Sequence, residues 1–278
     1  MSIHLIGECR GELARAGYKY SAGATEYPIL YTRGWLRQAK SLLFPTNRGS
    51  LLKILNQDII VCERCPRLCR YTAEIAQQKR RAYRDQTYWG RPVPSFGDPA
   101  ARVLIIGLAP GAHGSNRTGR MFTGDKSGDM LYKVLHKTGF ASRPEAVSRE
   151  DGLTLHGLYI TATAHCAPPG NKPTPEELRN CRPYLERELE LLVNLKAVVA
   201  LGKIAFDVYL DILKGRGVIK ARAPFVFGHN VEYRTAPGEP VLIASYHPSQ
   251  QNTSTGRLTQ QMLDAVFLHA ARIIEGQS

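Results

Sequence analysis

Residues 103–125 read VLIIGLAPGAHGSNRTGRMFTGD: four branched apolar residues that break into a loop of glycines, two arginines, an Asn, a Phe and an Asp. A short, wholly apolar run is the signature of a strand buried on both faces. The glycines after it, Gly107 and Gly111 with Ala109 between them, let backbone N–H groups come close to an anionic ligand. The loop has no GxGxxG fingerprint and no GKS or GKT ending, so it is neither of the usual nucleotide cradles.

Working outward, the same kind of run recurs. Strands are expected at Arg102–Gly107, Leu158–Ala164, Lys196–Leu201 and Pro240–Ser245. Helices are expected from Arg48 towards Cys62, over Gly128–Lys137, from Thr174 through Val193, over Ile204–Leu213 and over Leu258–Ile274. Thr174-Pro175-Glu176-Glu177 has the form of a capping box with Pro at the first helical position. Apolar strands alternating with helices predict a three-layer α/β/α sandwich around a central, mainly parallel four-stranded sheet. Residues 1–46 show weak periodicity and read as an N-terminal extension to a domain over 47–278. Ligands of such sheets sit beyond the carboxyl ends of the strands, which singles out loops 107–125, 165–173 and 246–257.

The chain has 278 residues, and 37 Lys plus Arg against 24 Asp plus Glu give it a formal charge of +13. That excess favours a polyanion, nucleic acid before an anionic membrane. No stretch is apolar for long enough to span a bilayer, and the N-terminus, with Glu8 and Glu12, is not a secretory signal. An intracellular protein is expected, so the six cysteines read as thiols or metal ligands rather than disulfides. Cys62-Glu-Arg-Cys65 is a C-x-x-C, and Cys166 and Cys181 bracket a strand–helix loop; thiolates in this pattern suit zinc or an iron–sulfur cluster. Cys69 reads as a competing ligand or a small core residue, and Cys9 as a structural thiol.

The third loop places His247 at a strand's end with Ser249, Asn252 and Arg257 close behind, donors for phosphates and for a polar ligand atom. CAPPGNKPTPEE supplies Asn171 and Lys172 in the second.

GLAPG with NRTGRMFTGD, then CAPPGNKPTPEE, then HPSQQNTSTGRLT together resemble the uracil-DNA glycosylase superfamily, in particular its family 5, the type B enzymes. The resemblance runs from about Leu51 to the C-terminal helix. It implies a 4Fe-4S cluster on Cys62, Cys65, Cys166 and Cys181, with Cys69 a departure outside the ligand set. It implies DNA, single- or double-stranded, as partner, an enzyme that acts as a monomer in the cytoplasm beside the nucleoid, and hydrolysis of a damaged base that leaves an abasic site. Related families carry an Asp, Glu or Asn that activates water where this chain has Leu108 and Ala109, and an Asn that reads uracil where it has Ala162. A broad pocket that also takes hypoxanthine is therefore expected.

An extruded base is expected to stack on Phe122, with Arg117, Arg120 and Arg257 on the phosphates. His247 would steady the departing base anion, and Asp125 and Asn171 would position water. An iron–sulfur protein that binds DNA or transfers electrons without glycosylase activity is the alternative.

Overall fold

A computed structural model describes residues 48–276. The expected extension over residues 1–46 and Cys9 lie outside the described residues. The helices are α1 (Arg48–Ile60), α2 (Pro66–Gln78), α3 (Ser115–Thr118), α4 (Lys126–Lys137), α5 (Pro175–Leu191), α6 (Lys203–Gly215), α7 (Gln250–Ser254) and α8 (Gln260–Glu275). The strands are β1 (Phe96–Gly97), β2 (Val103–Gly107), β3 (Leu158–Ala162), β4 (Ala197–Leu201), β5 (Val231–Tyr233) and β6 (Val241–Ser245).

The sheet has six strands in the order β1-β3-β2-β4-β6-β5. The four strands expected from the sequence, β3, β2, β4 and β6, run parallel at its centre. The expectation of four strands is corrected at the edges, where β1 and β5 each add an antiparallel strand. Two or three half-buried residues carry no readable period, whereas every residue of the central strands is buried.

Alternation along β2 divides the core. Val103 and Ile105 pack with Leu131 and Leu135 of α4 and Val266 and Phe267 of α8. Leu104 and Ile106 face the other way, against Leu52 of α1, Leu185 of α5 and Phe206 of α6. Helices on both faces are what a parallel sheet requires. The capping box forms: the Thr174 hydroxyl accepts the Glu177 N–H at 3.2 Å, and the Glu177 carboxylate accepts the Thr174 N–H at 2.7 Å. Glu177 also holds Arg67 of α2 at 2.7 Å, which ties α2 to the start of α5.

One buried acid stands out in this second core layer. Glu188 of α5 is fully buried, and burial pushes its carboxyl up to about 7, with the hydroxyls of Ser95 and Thr161 partly opposing the shift. A carboxyl whose folded pKa lies above its ordinary 4.5 adds stability that is complete below that value and lost as pH rises through 7. Glu188→Gln is expected to flatten this decline and to stabilise the protein at pH 8 by on the order of 2 kcal/mol. Chemical denaturation at pH 5 and pH 8 reads it; an unchanged pH dependence would refute the assignment.

Candidate active site

Beyond the carboxyl ends of the central strands lies a cleft of about 840 Å³, within the range of ligand sites. Its walls bring together Phe122, Asp125, Asn171 and His247, from all three loops singled out in the sequence. Gly107, Ala109, Gly111 and Ala162 also line it.

Phe122 adopts φ +51, a left-handed conformation that costs an aromatic residue of order 1 kcal/mol or more. Its ring lies against Gly107, where an added Cβ would stand 2.9 Å from two ring carbons. The imidazole of His247 is 5.6 Å away, centroid to centroid, tilted by 30°. A base between the two rings would need roughly twice the 3.4 Å stacking distance, so an incoming base must use an outer face of the pair. Burial lowers the His247 pKa to about 4, so the imidazole is neutral at physiological pH. Asn252 fixes its loop by donating to the His247 carbonyl at 2.9 Å.

Asp125 is the N-cap of α4, and one carboxylate oxygen accepts the Gly128 N–H at 3.0 Å. Its other oxygen lies against the Gly111–Gly114 backbone. Burial raises its pKa, opposed by the N–H groups of Gly128 and Ser127. The helix therefore starts at Lys126, two residues before the position expected from the sequence. Asn171 also has positive φ, +57, and its exposed side chain hydrogen-bonds to no described residue.

The three arginines separate. Arg120 is corrected as a phosphate ligand: it is 3 % exposed and its guanidinium grips Asp151 at 2.8 and 2.6 Å. Arg117 is spent on the loop itself, donating to the carbonyls of His113 and Gly124 while its guanidinium lies over the Tyr83 ring at 4.1 Å. Arg257 is exposed and stacks on Tyr246 at 4.6 Å, with its charge free for a phosphate. Arg257 and Asn252 line a second recess of about 300 Å³, which shares Leu108 and His247 with the cleft.

That recess includes Gly202 and Lys203, where β4 ends and α6 begins without a side-chain cap. The sequence reading passed over them, although four parallel strands imply four carboxyl-end loops. It also left out Lys126 and Arg80, exposed on the cleft rim. His113 on the same wall meets the Tyr88 hydroxyl at 3.1 Å.

Away from the cleft, Cys62, Cys65, Cys69, Cys166 and Cys181 line one narrow recess between α2 and α5. The resemblance left Cys69 outside the set; the fold puts it on the same wall. The Cys69 sulfur approaches the Cys62 carbonyl at 3.6 Å. Burial pushes Cys181 up to about 12. Backbone N–H of His165 donates to the Cys181 sulfur at 3.4 Å. Among the described residues no three His, Cys, Asp or Glu side chains converge to hold a single metal ion.

A family model described as the uracil DNA glycosylase superfamily matches residues 94–270, a span that holds every residue of the cleft except Arg80 and Tyr83. The chain belongs to the uracil-DNA glycosylase superfamily. Within that superfamily it is 51% identical over 217 residues to a type-5 uracil-DNA glycosylase of Thermus thermophilus, covering 78% of this chain and 95% of that one. A type-5 enzyme of Mycobacterium tuberculosis is 50% identical over 226 residues, with 81% and 82% covered. One of Pyrobaculum aerophilum is 46% identical over 226 residues, with 81% and 94% covered. The resemblance to the type B enzymes is thereby shown. Among the described residues of this superfamily member, no helix is long and apolar enough to cross a membrane.

Arg257→Ala is expected to weaken DNA binding on any sequence and to lower the slope of log K against log salt by about 1. Arg120→Ala should instead strand Asp151 and cost on the order of 3 kcal/mol of stability. Binding titrations at several salt concentrations, paired with thermal melts, separate the two; equal salt slopes would refute the division.

Proposed function

We propose that the chain is a uracil-DNA glycosylase, which extrudes a deaminated base from DNA and hydrolyses its N-glycosidic bond to leave an abasic site. The observation that carries this reading is the convergence of Phe122, Asp125, Asn171 and His247 on one cleft in a chain about half identical to type-5 enzymes. A DNA-binding or electron-transfer protein without this activity has no such support.

The chemistry follows from the geometry. The extruded base lies against Phe122 and is held through the phosphates by Arg257, Lys126 and the uncapped start of α6. As the C1′–N bond breaks, its electron pair leaves with the base. The neutral imidazole of His247 donates its one N–H to that developing anion and keeps its proton. The sugar becomes cationic. Asp125 faces it as a carboxylate and lowers its energy, while Asn171, free of internal partners, holds the water that bonds to C1′. The proton this water loses ends on the departing base anion, which is released as the neutral base. Leu108 and Ala109 offer no acid or base at the end of β2, which leaves this work to Asp125 and Asn171.

The substrate range is read as broad. Ala162 lines the cleft with a methyl group, where an amide would select one pyrimidine edge, and 840 Å³ has room for a purine. Uracil and hypoxanthine are both expected substrates. The residues 47–278 are read as the glycosylase domain, working as one chain on single- or double-stranded DNA in the cytoplasm beside the nucleoid.

The thiol recess fits a 4Fe-4S cluster. Five cysteines line this one recess, and a donor set of thiolates suits an iron–sulfur cluster. Cys62, Cys65, Cys166 and Cys181 would hold it, and when bound it cross-links α2 to the loop before α5 and to α5 itself.

Single-turnover base release tests the mechanism. His247→Ala is expected to slow release from uracil-containing DNA about 10²- to 10³-fold with DNA affinity kept. Asp125→Asn should slow it about 10²-fold while retaining the helix cap, whereas Asp125→Ala also costs about 1 kcal/mol of stability. Because burial raises the Asp125 pKa, the rate of the unaltered protein should fall on the acid side at a pH above the ordinary aspartate range, and Asp125→Asn should remove that limb. Rates near normal in His247→Ala would sink the assignment.

Hypoxanthine opposite a normal base should be released from the same duplex. Uracil released with hypoxanthine untouched would refute the broad pocket.

A further inference from the structure

Residues 79–88, KRRAYRDQTY, carry cations that the cleft chemistry leaves unused. The segment follows the end of α2 and makes a single 3-10 turn at Arg81–Tyr83. Arg80, Arg81 and Arg84 are exposed and form no ion pair among the described residues; the one acid, Asp85, is exposed and pairs with none of them. The segment is docked on the loop after β2. The Arg117 guanidinium lies over the Tyr83 ring at 4.1 Å and donates to the Gln86 side chain. Just beyond, the Trp89 N–H donates to the Arg117 carbonyl at 2.9 Å. The Tyr88 hydroxyl meets His113 Nδ1 at 3.1 Å. Arg80, Tyr83 and His113 line the cleft together.

The contact of Tyr88 decides which nitrogen of His113 holds the proton. The Arg80 backbone N–H donates to the Tyr88 hydroxyl oxygen at 3.3 Å. Tyr88 is 7 % exposed, and among the described residues its own hydroxyl proton has His113 Nδ1 as acceptor. Nδ1 therefore accepts, and the neutral ring carries its hydrogen on Nε2. Nε2 hydrogen-bonds to no described residue, so His113 brings a fixed N–H donor to the cleft wall. Burial, and then the charges of Arg80 and Arg117, lower the His113 pKa and keep the ring neutral. The same two charges make the surroundings of that donor positive, which favours an anionic acceptor over a neutral base edge.

Resting on the glycosylase reading above, we propose that His113 and Arg80 form a phosphate subsite for the DNA strand that enters the cleft. Tyr88 is its positioning residue and fixes the His113 tautomer. His113 supplies a neutral donor and Arg80 a charge, while Arg81 and Arg84 extend the positive track along the segment. The subsite is separate from Arg257, which lines the adjoining recess and not the cleft.

The test is equilibrium binding of the full-length protein to a duplex with one tetrahydrofuran abasic analogue, at several salt concentrations. This probe keeps the phosphates and has no base at the lesion. Arg80→Ala is expected to bind about tenfold more weakly at low salt, with the slope of log K against log salt reduced by about 1. His113→Ala should bind roughly three- to tenfold more weakly with the slope unchanged, because the lost donor is neutral. His113→Gln, which keeps an N–H donor, should recover most of that loss. Tyr88→Phe should weaken binding in the same manner and add nothing to His113→Ala in the double variant. Arg80 is exposed, so Arg80→Ala keeps the fold and tests the subsite even where His113→Ala does not. Unchanged affinity in Arg80→Ala and His113→Ala overturns the proposal, as does a lower slope in His113→Ala or an additive double variant. A loss in His113→Ala that appears only when uracil is present means that the donor meets the base, and the phosphate assignment falls. If the unaltered protein releases no uracil, the glycosylase reading falls, and this proposal with it.

Discussion

No side chain fits at Gly128: a Cβ there would stand 1.7 Å from the carbonyl oxygen of Phe122. This contact closes the loop after β2 onto the first turn of α4, and the rest of the site is built around the closure. Phe122 is forced into positive φ, its ring is laid on Gly107, and Asp125 is brought to the helix start as both cap and cleft wall. The carboxylate is then held by backbone N–H groups in a place too dry for it to ionise freely, a combination of fixed position and raised pKa that suits a group facing a transient cation. The strain at Phe122 is maintained because the buried Arg120–Asp151 pair and the Arg117 hydrogen bonds hold both ends of the loop.

The positive charge of the chain thus divides into two populations. Some arginines are structural: Arg120 is neutralised by Asp151, and Arg117 is held by the carbonyls of its own loop. Others, Arg257 and the lysines of the cleft rim, keep their charge in solvent. Net charge alone identifies a polyanion as partner but does not say which cations meet it.

A second tie joins α2 to α5. Arg67 on Glu177 draws α2 onto α5, and the loop between β3 and α5 that carries Asn171 runs through Cys166, which lines the recess between the two helices. Order in the recess is therefore transmitted to one of the four cleft residues through five residues of chain.

The central parallel strands, their helices, the capping box and the three loops were legible in the sequence, because burial on both faces leaves uninterrupted apolar runs and caps use fixed offsets. The edge strands were not, since two or three half-buried residues have no period. The candidate groups Asp125, Asn171, His247 and Phe122 stood in loops of unusual composition and so could be named in advance, as could the four cysteines with strand or C-x-x-C context. Lys203 and the fates of the arginines could not. Local chemistry, by itself, determined the elements and the kinds of group at their ends, because periodicity and capping act over a few residues. Only the tertiary structure decided that Arg120 is buried on Asp151, because that depends on a partner 31 residues along the chain that no local pattern specifies.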